Sequence, residues 1–290
     1  MDMSPIVAGM WRLCDWQYSM DELLCFIESC IDLGVTTFDH ADIYGDYSCE
    51  ELFGKALAKS PALRDTMQLV SKCDITLVSE KRPEYGIHGY DTSKEHILRS
   101  VDASLTKLCT DHLDLLLLHR PDPLMDADEA AEALTTLKDS GKVLALGVSN
   151  FTVSQFELLA SRLAFPLVTN QIEFSVLNMD ALEDGTLDQC QQRRIRPMAW
   201  SPFGGGRLFQ EKSEQAERVR NTLQTIGTDL NASLDQVALA WILKHPARIL
   251  PVLGTGKIER VRQAFQALGL ELSREQWFEL WVASKGHDVP

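Results

Sequence analysis

Short apolar runs alternate with longer amphipathic segments along the whole chain. The run "PIVAGM" precedes "MDELLCFIESCIDLG", "VTTFD" precedes "SCEELFGKALAKS", and "MQLVSK" is followed by a loop and then "TSKEHILRSVDASLTKL". "HLDLLLLH" leads into "DADEAAEALTTLKDSGK", "VLALGVS" into "TVSQFELLASRL", and "PLVTNQ" into "ALEDGTLDQCQQRR". "IRPMAWS" precedes a loop and the segments "EQAERVRNTLQTIGTDL" and "SLDQVALAWILKHP"; "RILPVLGT" precedes "KIERVRQAFQALG". The runs have strand length and are mostly bounded by turn residues, whereas the longer segments repeat apolar residues at helical spacing. Ile97, Leu98, Val101, Leu105 and Leu108 form one such stripe, and Gly34 and Gly141 stand where a helix should stop. The pattern predicts eight strands, each followed by at least one helix. Continuously apolar strands are buried on both faces, as in a parallel sheet. Eight such units in 290 residues predict an α/β fold, a (β/α)8 TIM barrel in a single domain over residues 1–290. An open doubly wound sheet is the competitor, weakened because no Gly-rich dinucleotide fingerprint follows the first strand.

A barrel carries its chemistry at the C-terminal ends of its strands. The second predicted strand ends in Asp39, with Tyr44 just beyond, the third in Lys72, and the fourth is followed by His119. The fifth ends in Ser149 and Asn150, the sixth in Gln171, the seventh in Trp200 and Ser201, and the eighth in Gly254 and Thr255. Each has an ordinary reading when taken alone. Asp39 and Asp42 are helix-cap candidates, Tyr44 before Gly45 is a turn residue, and Lys72 is a solvated charge. His119 is a structural histidine, Ser149-Asn150 an N-cap, Gln171 a polar group needing partners, and Trp200 core. Their joint placement at one barrel mouth favours a shared pocket over separate accidents.

The residue types suggest a mechanism. A free tyrosine has a pKa of about 10. A neighbouring ammonium favours the phenolate and is expected to lower that value. Lys72 supplies the ammonium, Asp39 holds Lys72, and Tyr44 becomes a tunable general acid, with His119 orienting a substrate oxygen. No convincing nucleophile with its own base is present. No metal site is expected, because the histidines at 88, 96, 112 and 119 follow no zinc spacing. This is equipment for protonating an oxygen while a hydride, for which a nicotinamide is the obvious source, attacks carbon.

Composition narrows the partners. A net charge of -14 and a pI near 4.9 argue against a nucleic-acid or anionic-membrane binder. The seven cysteines are odd in number and form no CxxC pair, which suggests reduced thiols in a cytoplasm. The start "MDMSPIVAGMWRL" does not resemble a signal peptide, and no apolar run has bilayer-spanning length. Nothing demands more than a monomer.

The chain resembles the aldo-keto reductases from "AGMWRL" to "KIERVRQA". "FDHADIYG" is similar to that family's Asp-x-Ala-x-x-Tyr-Gly motif, and "SKC", "LLLLHRPD", "GVSNF", "TNQIEFS" and "MAWSPFGGGR" resemble its later blocks in order. The likeness is to small bacterial oxidoreductases of this superfamily. It implies a catalytic tetrad of Asp39, Tyr44, Lys72 and His119, with Tyr44 as proton donor in reduction of a small-molecule aldehyde or ketone. It implies that Ser149, Asn150 and Gln171 hold the nicotinamide carboxamide and that Trp200 stacks on the ring. Ser201, Pro202, Phe203, Gly204, Gly205, Gly206 and Arg207 would pass over the pyrophosphate, where glycines permit close approach. In "GTGKIERVRQA", Gly254, Thr255, Gly256, Lys257, Arg260 and Gln263 would lie about the adenosine 2'-phosphate; an arginine and a helix start both suit that anion. Met10 and Trp11 would flank the cofactor, with Trp11, Tyr44 and His119 lining the carbonyl pocket and Trp16 and the loop "EKRPEYGIHGYD" adding walls.

The chain also departs from the family pattern. Gly254 replaces a frequent lysine, and Gln263 and Ala264 replace a frequent Glu and Asn. Lys257 can partly replace the missing charge, so NADPH is the expected cofactor, with NADH a weaker alternative. The competing function is a cofactor-binding sensor or regulatory subunit with little turnover, against which the intact tetrad counts. A phosphate-binding isomerase or lyase barrel, using "GGG" and "GTG", ranks behind both.

Overall fold

The protein is described by a computed structural model over residues 2–290. Ten strands occur among these residues: β1 (Val7–Gly9), β2 (Thr37–Asp39), β3 (Gln68–Cys73), β4 (Ile75–Thr76), β5 (Gly89–Tyr90), β6 (Leu113–Leu118), β7 (Val143–Ser149), β8 (Asn170–Glu173), β9 (Met198–Trp200) and β10 (Leu250–Leu253). Eight of them close a barrel in the order β1-β10-β9-β8-β7-β6-β3-β2. The paired strands run parallel, with Val7 opposite Thr37, Phe38 opposite Leu69, Val70 opposite Leu115, Leu115 opposite Ala145 and Val148 opposite Asn170. This is the (β/α)8 barrel that the alternating pattern predicts. Leu115 to Leu118 are all buried, as a strand covered on both faces requires.

The helices begin where local chemistry directs. Ser19 with Glu22, Thr152 with Gln155, and Ser273 with Gln276 each form a capping box. Ser93 and Asp126 accept backbone N–H bonds at the heads of Lys94–Leu108 and Ala127–Asp139. Each such cap contributes about 1 kcal/mol.

Three local features differ from the sequence pattern. The loop after β3 carries an antiparallel hairpin of β4 and β5. The strand expected to end at Gln171 continues through Ile172 and Glu173. The helix expected over "ALEDGTLDQCQQRR" is broken at Gly185, whose φ of 84° ends one turn and precedes Thr186–Arg193.

Packing divides the chain into two units. One runs as far as Gln171 and takes in Gly254–Ile258; the other comprises Ile172–Leu253 and Glu259–Pro290. In the first, Phe38 meets Phe53 with ring centres 5.4 Å apart, beneath the helix Cys49–Leu57. The second has an apolar core that includes Phe174, Leu223, Val237, Trp241 and Leu280. Among the described residues no helix is long and apolar enough to cross a membrane.

Candidate active site

The chemistry of the first unit centres on Lys72, in β3. Its side chain is fully buried, and an isolated buried ammonium would be costly. It is instead surrounded by acceptors. Nζ donates to both Asp39 carboxylate oxygens at 2.8 Å, to the His40 carbonyl at 2.8 Å and to the Tyr44 hydroxyl at 3.2 Å. The ammonium also lies 5.0 Å from the centre of the Tyr44 ring. Desolvation pulls the Lys72 pKa down, but Asp39 and Tyr44 outweigh it and leave the pKa raised, so the ammonium stays charged.

Tyr44 owes its position to an unusual turn. Asp39 closes β2, and after Tyr44 come Gly45, Asp46 and Tyr47 with φ of 58°, 53° and 63°. Three consecutive left-handed residues cannot continue a helix. They reverse the chain before the helix Cys49–Leu57.

Sequence reasoning expects Lys72 to lower the Tyr44 pKa. The structure corrects this. The ring is only half-buried, yet desolvation is the largest influence on Tyr44, and it outweighs the lowering by Lys72, so the pKa is raised. The resting group is a neutral phenol at neutral pH. The ammonium acts by offsetting a burial cost.

His119 follows β6, and its N–H donates to the Cys73 carbonyl at 3.0 Å. Its ring stands edge-on to Tyr44 with centres 5.9 Å apart. Burial, reinforced by Lys72 and Arg120, holds its pKa well below the usual histidine range. A neutral imidazole donates one hydrogen bond without adding charge. Nδ1 is buried without a partner.

Ser149 ends β7, and Gln171 lies within β8. Ser149 Oγ donates to the Gln171 carbonyl at 2.9 Å. Asn150 Nδ2 donates to Ser149 Oγ at 2.8 Å and to the His119 carbonyl at 3.3 Å. Asn150 has a φ of 60°, a conformation that asparagine tolerates better than most residues. Gln171 Nε2 donates to Asp39 Oδ1 at 2.8 Å. Seven of the predicted residues are thus joined by side-chain and backbone contacts: Asp39, Tyr44, Lys72, His119, Ser149, Asn150 and Gln171. The last three present uncharged amide and hydroxyl groups, a donor set that fits a neutral carboxamide.

Met10 is fully buried, and its N–H donates to the Asp39 carbonyl at 2.9 Å. Trp11 is 57% exposed, a large apolar surface left in water beside these strand ends. Gly254, Thr255, Gly256 and Lys257 form the turn after β10, where the Lys257 N–H donates to Thr255 Oγ1 at 3.2 Å.

The remaining candidates belong to the second unit. Trp200 closes β9, and Ser201 follows with a φ of 51°. Pro202 is buried, while Phe203 is half-buried and packs on Phe209 with ring centres 5.5 Å apart. Gly204, Gly205 and Gly206 turn with φ of 59°, 67° and 101°, and Arg207 Nε donates to the Gly204 carbonyl at 3.1 Å. Arg260 and Gln263 are exposed on the helix Ile258–Gln266.

Sequence reasoning misses several contributors. His40 supplies a backbone carbonyl to Lys72, and carbonyl direction leaves no mark in a sequence. Its ring is buried edge-on to Phe53, and desolvation lowers its pKa to about 3. Asp42, read as a turn or cap residue, is buried with Oδ1 unpartnered, and desolvation raises its pKa well above the carboxylate range. Trp16, expected to add a wall to the carbonyl pocket, sits within an aromatic group. It packs edge-on against Tyr18 and Phe26 and covers Gly256, where a Cβ would meet its ring at 2.5 Å. Tyr18 Oη donates to the Gly256 carbonyl. The concentration of aromatics in "WQY" and at Phe26 was the available signal.

Comparisons with known proteins agree with this fold. The aldo/keto reductase family matches residues 5–282. Oxidoreductase YcsN of Bacillus subtilis is 52% identical over 291 residues, covering 100% of this chain and 97% of that protein. A 6-dehydroglucose reductase of Agrobacterium fabrum is 46% identical over 290 residues, covering 100% of this chain and 97% of its own length. A crystal structure of an aldo/keto reductase from Klebsiella pneumoniae, in complex with NADP and acetate, superposes with a TM-score of 0.79 at 27% identity, covering 99% of this chain and 93% of that one. With a family match over nearly its whole length, relatives at about half identity and a reductase-like barrel, the chain belongs to the aldo/keto reductase family, whose general reaction is reduction of small-molecule carbonyls with a nicotinamide cofactor.

Proposed function

We propose that the protein is an NADPH-dependent reductase of aldehydes and ketones, with Tyr44 as the proton donor. The observation that carries this reading is the placement of the Tyr44 hydroxyl 3.2 Å from a Lys72 ammonium that Asp39 grips with both oxygens. When bound, the nicotinamide supplies the hydride to the carbonyl carbon. The chain supplies the proton and the geometry. Tyr44 rests as a neutral phenol, the form able to donate. As negative charge develops on the carbonyl oxygen, the proton leaves Tyr44, and Lys72 stabilises the phenolate left behind. Neutral His119, edge-on to Tyr44, holds the substrate oxygen by a hydrogen bond. Asp39 keeps Lys72 in place, and Gln171 fixes the Asp39 carboxylate from the other side.

Ser149, Asn150 and Gln171 supply the donors for the carboxamide, and Trp11 supplies an apolar wall for the substrate. NADPH is favoured over NADH by the cationic Lys257 and Arg260 beside the start of the helix Ile258–Gln266. The relative that reduces 6-dehydroglucose makes that compound a first candidate substrate. The test is NADPH oxidation by the purified protein with 6-dehydroglucose and a panel of aliphatic and aromatic aldehydes, ketones and quinones. Turnover that disappears in Tyr44→Phe supports the reading. Tight NADPH binding with no turnover on any carbonyl favours a cofactor sensor.

A further inference from the structure

Cys14 and Cys49 are separated by 35 residues in sequence, yet their sulfurs approach to 3.4 Å. Both are free thiols. Cys49 opens the helix Cys49–Leu57 and is fully buried, with its Sγ 3.8 Å from the Trp11 carbonyl. Cys14 is partly exposed, in the turn Leu13–Trp16 that follows β1. Between them lies Gly45, the residue after Tyr44. A Cβ at position 45 would lie 2.5 Å from Cys14 Sγ and 2.6 Å from Cys49 Sγ, so the two sulfurs occupy the space that a side chain there would need. The geometry is asymmetric: one thiol is open to a small oxidant, and one is sealed within reach of the first.

We propose that Cys14 and Cys49 form a reversible disulfide when the protein meets a hydroperoxide, and that the link slows turnover by displacing the Tyr44 turn. The Cys14 thiolate attacks a peroxide oxygen, the O–O bond breaks, and water leaves, giving a sulfenic acid on Cys14. The Cys49 sulfur then attacks that sulfur and gives up its proton. The S–O bond breaks and a second water departs. Two thiols lose two electrons, and one hydrogen peroxide becomes two waters. A dithiol reductant returns both thiols by exchange. Burial pushes the Cys49 thiol up to about 12, which makes it the resolving partner and leaves first attack to Cys14.

Closing the sulfurs to the usual bond length of about 2.05 Å needs movement on at least one side. On one side is the Leu13–Trp16 turn. On the other is the left-handed run of Gly45, Asp46 and Tyr47, already in a sparsely populated conformation. Tyr44 is held to Lys72 by a single hydrogen bond, whereas Asp39 is held by two. The phenol is therefore the member of the site that yields first. A disulfide of this kind inside a reducing cell is transient, and formation under oxidant stress is what such an exposed-buried pair permits.

The test treats the full-length protein with hydrogen peroxide, alkylates the remaining thiols and maps the unreduced peptides by mass spectrometry. Turnover of a carbonyl substrate and amide hydrogen exchange across residues 41–49 are followed before and after dithiothreitol. A linked Cys14–Cys49 peptide is expected to accumulate, exchange in the Tyr44 segment to change, and turnover to fall about tenfold to a hundredfold. All three should return with dithiothreitol. Cys14→Ser and Cys49→Ser should each keep basal turnover and lose the peroxide response; the partly exposed Cys14 site guards against misfolding of the buried variant. The proposal is overturned if both cysteines stay alkylatable after the exposed Cys25 and Cys109 have reacted, or if the link forms while exchange and turnover stay the same. The effect on turnover rests on Tyr44 as proton donor, but the mapped link and the exchange do not, so the two readings fail separately.

Discussion

Lys72 in the first unit and Trp241 in the second are both sealed from solvent, at 1% and 0% exposure, and they are held in opposite ways. Trp241 lies flat on Trp277, with ring centres 4.9 Å apart and planes 9° from parallel, and on Phe174 at 5.3 Å. Each of the two indoles donates its N–H to the other's backbone carbonyl, at 3.0 and 3.1 Å. Every polar atom of that pair of rings is satisfied while its large surface is buried, so the arrangement adds cohesion directly. Lys72 buries a charge, and much of what its partners contribute goes to offset the cost of desolvation. The comparison separates an interior built for stability from one whose buried charge the proposed reaction would use.

Trp241→Ala should break the cohesive interior. We expect a stability loss of about 3–5 kcal/mol in denaturant unfolding, with turnover per folded molecule preserved. A loss below about 1 kcal/mol would mean that the stack contributes little beyond what the cavity can recover. Tyr44→Phe should do the reverse. A general acid contributes roughly a hundredfold to ten-thousandfold, so we expect kcat to fall about a thousandfold while the unfolding midpoint and NADPH affinity stay near those of the parent. Parallel loss of cofactor binding and stability would reduce Tyr44 to a structural role.

Arg260→Ala sharpens the comparison from outside both interiors, because this arginine is exposed. We expect about tenfold weaker NADPH binding, near the strength of one charge-assisted contact, with NADH unaffected. Equal weakening of both cofactors in titrations would remove its 2'-phosphate role.

Asp42→Asn should have the smallest effect, and pH sets its direction. The folded-state pKa of Asp42 is raised above the ordinary value, so the carboxylate is disfavoured in the fold. Below the unfolded value the carboxyl is neutral in both states and asparagine offers no gain. As pH rises above the unfolded value, the unfolded chain sheds a proton that the fold retains, so stability falls until it levels off at the folded value. The variant should therefore be more stable than the parent near pH 8 and nearly equal near pH 4, read by denaturant unfolding at both. An advantage at pH 4 that vanishes at pH 8 would reverse this reading of the buried carboxylate.

The barrel was legible because its strands are apolar on both faces and its helices carry their own caps. Lys72 and His119 were legible because a polar residue beside each apolar run marks the end of a barrel strand. Gln171 was singled out although its strand runs on to Glu173, and its amide meets Asp39. The Tyr44 pKa was not legible, because its direction depends on whether burial or the ammonium prevails, and that balance requires distances. Nor was the contact of Cys14 with Cys49. Two cysteines 35 residues apart, with no CxxC spacing, carry no local sign of meeting. The hairpin of β4 and β5 is similarly hidden, since two-residue strands are too short for a period to emerge.

The turn at Gly256 bears on engineering. Trp16 leaves no room for a side chain there, and Tyr18 fastens its carbonyl. On the proposed cofactor role of this turn, redesign toward NADH has to treat this glycine as a fixed hinge-pin. Variation belongs at Gly254, where added atoms meet nothing within 4 Å, and at the exposed Lys257, Arg260 and Gln263. A library randomised evenly across the turn would lose most of its members to misfolding before cofactor choice was sampled.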